Sequence, residues 1–226
     1  MQEISFELIK RLPKVELHCH LDGSLRINTI LDIAKQKKVQ LPTYNPNELF
    51  KLISLDKQKV SLEDYIDRFD LTLSVLQDDD SLERVSYELI EDLAKDNICY
   101  AEIRFSPILH TKKEMTIDDA LNAVKKGLNK GEKEYGIKSG IIICGIRSID
   151  PSVSIDLAEL AVKYKNNGVI GFDLAGAEYN YPAKKHKEAF YLIRNNNINT
   201  TIHAGEAFGP ESIHQAIHTC GANRIG

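Results

Sequence analysis

Two histidines and an aspartate alternate in Leu17-His18-Cys19-His20-Leu21-Asp22. Successive side chains of an extended chain point to opposite faces. His18, His20 and Asp22 therefore share one face, and Leu17, Cys19 and Leu21 the other. Two imidazoles so placed can converge on one divalent ion, whose bonds to nitrogen are about 2.0–2.1 Å. A polar patch at a sheet edge, or histidines bonded to nearby backbone, gives the same pattern. The apolar flanks favour the metal, because buried unpaired imidazoles are costly to desolvate.

A second segment, Thr201-Ile202-His203-Ala204-Gly205-Glu206, ends an apolar run on a histidine. It continues through small residues that let backbone approach a ligand, and sets a carboxylate three residues on. Glu206 is then either an acid/base beside a metal held by His203, or a carboxylate in the dipole of a helix expected over 210–221. Joined to the first segment, a three-histidine site (His18, His20, His203) with Glu206 alongside is the better reading. In a third segment, Gly171-Phe172-Asp173-Leu174-Ala175-Gly176, the last glycine can offer its N–H to a ligand; a simple left-handed turn explains it equally.

Such residues need elements to hold them. Short apolar runs at 15–21, 100–105, 140–146, 169–174 and 200–203 alternate with longer amphipathic segments. In 82–97, Leu82, Val85, Leu89, Ile90 and Leu93 recur at helical steps. In 155–167, Leu157, Leu160, Ala161 and Tyr164 do the same, with Ser154 expected as the N-cap and Gly168 as the stop. Strand–helix alternation implies a parallel sheet, either doubly wound or a TIM-type (β/α)8 barrel. The first strand–helix turn, Asp22-Gly23-Ser24, has no phosphate-cradling glycine pattern. The unusual polar residues fall at the carboxyl ends of the strands: His18, His20 and Asp22, then Asp173, then His203 and Glu206. That is where barrels carry their chemistry, so an α/β barrel is favoured. Five strands and the start of a sixth at 224–226 fall short of eight, so the chain reads as one incomplete barrel domain over 1–226.

Composition bounds the rest. The 226 residues are 42 % hydrophobic and 27 % charged with a net charge of -4, as expected of one globular domain rather than a disordered chain. No basic run marks a nucleic-acid partner, and no apolar stretch approaches the roughly 20 residues of a membrane span. Four scattered cysteines form neither a disulfide framework nor a C-x-x-C pair, which favours a reduced cytoplasmic setting. Several signals are read as structural. His110 and His186 are expected in loops or at the surface, the latter within the solvated run 184–187. His214 and His218 lie on an ordinary helix surface, Asp78-Asp79-Asp80 flanks a helix start, and Cys19 packs in the core.

Together, Pro13-Lys14-Val15-Glu16-Leu17-His18-Cys19-His20-Leu21-Asp22-Gly23, Tyr100 through Pro107, Gly171 through Gly176 and His203-Ala204-Gly205-Glu206 resemble the adenosine deaminase family. These are zinc-dependent barrels that hydrolyse the 6-amino group of adenosine or 2'-deoxyadenosine. The resemblance implies one zinc per chain, held by His18, His20 and His203. It also implies Asp22 on the ribose 5'-hydroxyl, Gly176 N–H on purine N3, His20 against the substrate, and Glu206 protonating purine N1. Glu206 must carry a proton to do this, so burial is expected to raise its pKa. Related adenine deaminases carry Glu where Asp22 stands, so the shorter Asp leaves room for a ribose. The family pattern continues with a His-Gly pair and a later Asp-Asp pair that these 226 residues lack. The resemblance therefore implies at most feeble activity from this chain alone, with self-association through an open barrel edge. A non-catalytic binding or assembly module, or an adenine deaminase-like relative, is the competing expectation.

Overall fold

The computed structural model describes residues 5–54 and 61–226. Six parallel strands pair in chain order: β1 (Lys14–His20), β2 (Ile98–Phe105), β3 (Lys138–Ile146), β4 (Val169–Ala175), β5 (Asn199–Ile202) and β6 (Arg224–Ile225). In-order parallel pairing is how a barrel wall grows. The sheet curls until its last residue approaches its first strand: a Cβ added at Gly226 would lie 2.8 Å from Cε1 of His18. These six strands make a partial TIM-type barrel, as the strand–helix alternation predicts.

A short helix, α1 (Phe6–Arg11), precedes β1, and among the described residues five more lie between β1 and β2: α2 (Ile27–Lys37), α3 (Pro46–Ile53), α4 (Leu62–Ile66), α5 (Phe69–Ser74) and α6 (Asp79–Lys95). Thereafter α7 (Ile117–Tyr135), α8 (Pro151–Lys163) and α9 (Lys187–Asn195) cross between strands. After β5, α10 (Pro210–His214) runs into a π-helical turn, Gln215–Thr219. Apolar periodicity sets the packing. Leu82, Val85, Leu89 and Ile90 of α6 are buried as expected, and the Asp78 side chain caps the helix at Ser81 N. The helix α7 lies against α6 so closely that a Cβ at Gly127 would sit 2.2 Å from the Glu83 carbonyl oxygen. Among the described residues, no helix is long and apolar enough to cross a membrane.

Three expectations fail here. The N-cap of α8 is Asp150, whose side chain accepts from Ser152 N, because Pro151 starts the helix a turn before Ser154. Ser154 instead lies buried, its hydroxyl 2.8 Å from Nδ1 of His186. His186 and His110 are 1 % and 0 % exposed rather than at the surface. His186 also meets the Arg147 carbonyl, and His110 Nδ1 the Leu76 carbonyl at 2.9 Å, so backbone oxygens make their burial possible.

Candidate metal centre

His18 and His20 stand at the carboxyl end of β1, and His203 directly follows β5. The β1–β2 register slips between Glu16 and Cys19, a bulge that re-aims the side chains just before the site. Within it the Glu16 carboxylate accepts from His18 N at 2.8 Å. The bulge also breaks the simple two-face alternation: Leu17 is exposed and Cys19 half-buried, and only Leu21 reaches the core.

The three Nε2 atoms face one another. His18 and His203 are 2.9 Å apart, His20 and His203 3.1 Å, and His18 and His20 3.2 Å. Nδ1 of His203 lies 3.0 Å from the Asp173 carboxylate, which fixes Nδ1 as the donor and leaves a lone pair on Nε2. Lone pairs pointed at one another over this distance repel unless a cation sits among them. Ligands of a tetrahedral ion with bonds of 2.0–2.1 Å stand about 3.3–3.4 Å apart, so shifts of a few tenths of an ångström would seat a first-row divalent metal. The donor set fits the group.

Electrostatics keeps two of the rings ready. Burial, then the Arg104 guanidinium, pushes His18 down to about 4; burial, then His203, pushes His20 down to about 3. Both are neutral at neutral pH, as ligands must be. Burial alone would raise the pKa of Asp173, but His203 and Arg104 overcome it and hold the group well below the carboxylate range. Asp173 receives Arg104 Nη1 at 2.8 Å and Leu174 N at 2.7 Å. The second Arg104 Nη reaches the Leu17 carbonyl at 3.0 Å, so one fully buried cation braces both sides of the triad.

The other expected residues fall around this centre unequally. Asp22 is 5 % exposed, with Oδ1 lacking a hydrogen-bond partner among the described residues, and burial pushes its pKa up to about 6. Beside His20 lies Phe69, with ring centroids 6.2 Å apart, and Tyr65 stands 5.3 Å from Phe69. Gly176 directly follows β4 at the same carboxyl face, with a φ of 94° that favours glycine. Glu206 is exposed, contrary to the expected burial, because the loop after His203 runs over the surface. Its charge still reaches inward, contributing to the raised pKa values of His203 and Tyr65.

Sequence reasoning placed Asp173 at a strand end without giving it a task, and passed over Arg104, Arg147 and Glu178. Arg147 is 2 % exposed and donates to the His203 carbonyl; Glu178 is 3 % exposed and accepts three amides of the loop after it. An arginine and a glutamate are ordinary surface residues by type, and only their burial marks them. Elsewhere, His214 and His218 stack with centroids 4.5 Å apart, and among the described residues neither belongs to a cluster of three metal donors. The run 78–80 starts α6, with Asp78 also 2.8 Å from Lys37 Nζ. A groove of about 860 Å³ between the starts of α6 and α7, lined by Gln77, Met115 and Asn122 among others, shares no residue with the triad.

A family model described as adenosine deaminase matches residues 13–226. A probable adenosine deaminase of Dictyostelium discoideum is 48 % identical over 225 residues, covering 100 % of this chain and 29 % of that protein. An adenosine deaminase of Mycobacterium ulcerans is 43 % identical over 228 residues, covering 98 % of this chain and 62 % of that one. Thus the chain spans less than two thirds of the length of these relatives. Among solved structures, an N6-mAMP deaminase of Arabidopsis superposes with a TM-score of 0.83 at 27 % identity, over 98 % of this chain and 67 % of that chain. An amidohydrolase of Burkholderia ambifaria with bound Zn superposes at 0.89; at 23 % identity, over 99 % of this chain and 62 % of that one, it speaks for the fold alone.

Proposed function

The chain belongs to the adenosine deaminase family, and from that premise we propose that it carries the metal-binding half of a zinc-dependent hydrolase. The reaction is adenosine or 2'-deoxyadenosine plus water to inosine or 2'-deoxyinosine plus ammonia, a step of purine salvage. The observation that carries this reading is the three-imidazole cluster of His18, His20 and His203, backed by Asp173.

His18, His20 and His203 would hold one zinc ion through Nε2. When bound, zinc lowers the pKa of water towards about 7 and so supplies the nucleophile at neutral pH. Glu206 donates a proton to purine N1, which draws electrons from C6 and prepares it for attack. The Asp22 carboxylate accepts the ribose 5'-hydroxyl, which would give its orphaned Oδ1 a partner. Gly176 donates its N–H to purine N3, and His20 packs against the base. Collapse of the tetrahedral carbon expels the 6-amino group as ammonia.

Four free cysteines fit a reducing, cytoplasmic setting. The partners are small purine nucleosides, with neither nucleic acid nor membrane. We include self-association along β1: this strand is at one end of the sheet order, and Val15 and Leu17 are 58 % and 38 % exposed. The test is metal analysis of the dialysed protein together with the fall in ultraviolet absorbance as adenosine is converted. Zinc near one per chain with conversion supports the proposal. Absence of zinc after loading sinks it, and zinc without conversion of any purine nucleoside leaves a binding module.

A further inference from the structure

The loop 203–208 is held from beneath by two buried charged side chains that the reaction scheme above does not use. Glu178 Oε1 accepts Gly205 N at 2.6 Å, and Oε2 accepts Ala207 N at 2.5 Å and Phe208 N at 2.9 Å. The residue these amides straddle is Glu206. On the other side, Arg147 donates one Nη to the His203 carbonyl and the other to the Tyr181 carbonyl at 2.9 Å. Arg147 is itself fixed to β4 through its own N–H on the Ala175 carbonyl at 2.9 Å.

These two side chains and the bend at Gly205 set the course of the loop. Glu206, Ala207 and Phe208 are exposed; the Phe208 ring lies 6.0 Å from that of Tyr179, itself 55 % exposed, so apolar burial contributes little restraint. Gly205, with a φ of 90°, makes the bend that turns successive amides toward one carboxylate, and a Cβ there would come within 2.8 Å of Ile213. Three short bonds from N–H groups to a buried anion are charge-assisted and stiff, unlike bonds to water that an exposed loop would make.

We propose that Glu178 is a positioning residue: with Arg147 it clamps the loop so that His203 and Glu206 are held in register with each other. This rests on the deamination reading above, in which His203 holds the metal and Glu206 reaches the substrate. A displacement of about 1 Å at such a group is enough for a 100-fold loss of rate.

The variant Glu178→Gln keeps the shape but turns an NH2 group toward amides that need an acceptor. In the metal-loaded protein, kcat on adenosine is expected to fall about 100-fold, with KM nearly unchanged and metal content still one per chain. Combined with Glu206→Gln, it should add little to the loss that Glu206→Gln already causes, since both act through one group. Amide hydrogen exchange gives an activity-free reading: Gly205, Ala207 and Phe208 should lose protection while β3 and β4 keep theirs. A variant with a lower Tm but unchanged kcat per bound metal, or full additivity with Glu206→Gln, overturns the proposal. If the unmutated protein binds no metal, the deamination reading has failed instead; where it binds metal but turns over too little for comparison, exchange at the three amides decides, and unchanged protection there refutes the clamp.

Discussion

Asp173 touches His203 and Arg104 at once: one carboxylate oxygen lies 3.0 Å from the imidazole Nδ1 and 2.8 Å from a guanidinium nitrogen. The same side chain therefore orients the His203 imidazole, a proposed metal ligand, and neutralises a cation that is fully buried. Its removal should separate into two measurable effects.

Asp173→Asn is expected to weaken metal binding by about 10- to 100-fold, as loss of a carboxylate behind a ligating histidine does. It should also lower the stability of the metal-free protein by about 3–5 kcal/mol, because Arg104 is left buried without its counter-ion. Competition with a chromogenic chelator reads the first effect and urea denaturation the second. Unchanged affinity would show that Asp173 serves Arg104 alone.

Glu206→Gln should abolish turnover while sparing the metal. General acid catalysis is worth about 100- to 10 000-fold, and Gln cannot deliver the proton. Glu206 is exposed and is not one of the three clustered donors, so metal content should stay at one per chain. Near-normal turnover in this variant removes Glu206 from its assigned role.

At Asp22, binding and stability are expected to oppose each other. Burial raises its pKa to about 6, above the unfolded value, so protonation favours the folded state. Its contribution is fully present below about pH 4 and is lost as pH rises through 6. Asp22→Asn should therefore raise Tm at pH 7.5 and leave it nearly unchanged at pH 4. The same change should hurt adenosine conversion much more than any conversion of free adenine. Equal losses on the two substrates would dissociate Asp22 from the ribose.

His110 should set an acid limit to stability. Burial lowers its pKa to about 4, below the unfolded value near 6.5. Stability is complete above pH 6.5 and drains away as pH falls towards 4, by about 3 kcal/mol for this shift at 1.36 kcal/mol per unit. Denaturation midpoints at pH 7 and pH 4.5 should thus differ less in His110→Gln than in the unmutated protein. An identical pH dependence in the two proteins would assign the acid limit to other groups.

How far the sequence could be read depends on the physical signal involved. Period-two and period-3.6 patterns encode burial directly, so the runs at 100–105 and 140–146 and the helix at 82–97 reappear almost unchanged as β2, β3 and α6. The histidine triad was legible because imidazoles at strand ends have few structural uses. His110 and His186 lie buried, against the loop or surface expectation, because the backbone carbonyls that accept them, at Leu76 and Arg147, belong to segments 34 and 39 residues away. Glu206 was expected to be buried on chemical grounds, and local sequence contains nothing that places a lid over it. Arg104, Arg147 and Glu178 show their tasks only once distant strands meet.

His203 lies 185 positions after His18 in the chain. A cation shared by these rings ties the opening strand to the fifth, and its binding energy is felt by everything threaded between. Stripping it should lower the melting of the whole sheet rather than loosen one loop. During refolding, the ion should find its seat only after the intervening helices have docked, since so distant a contact closes late.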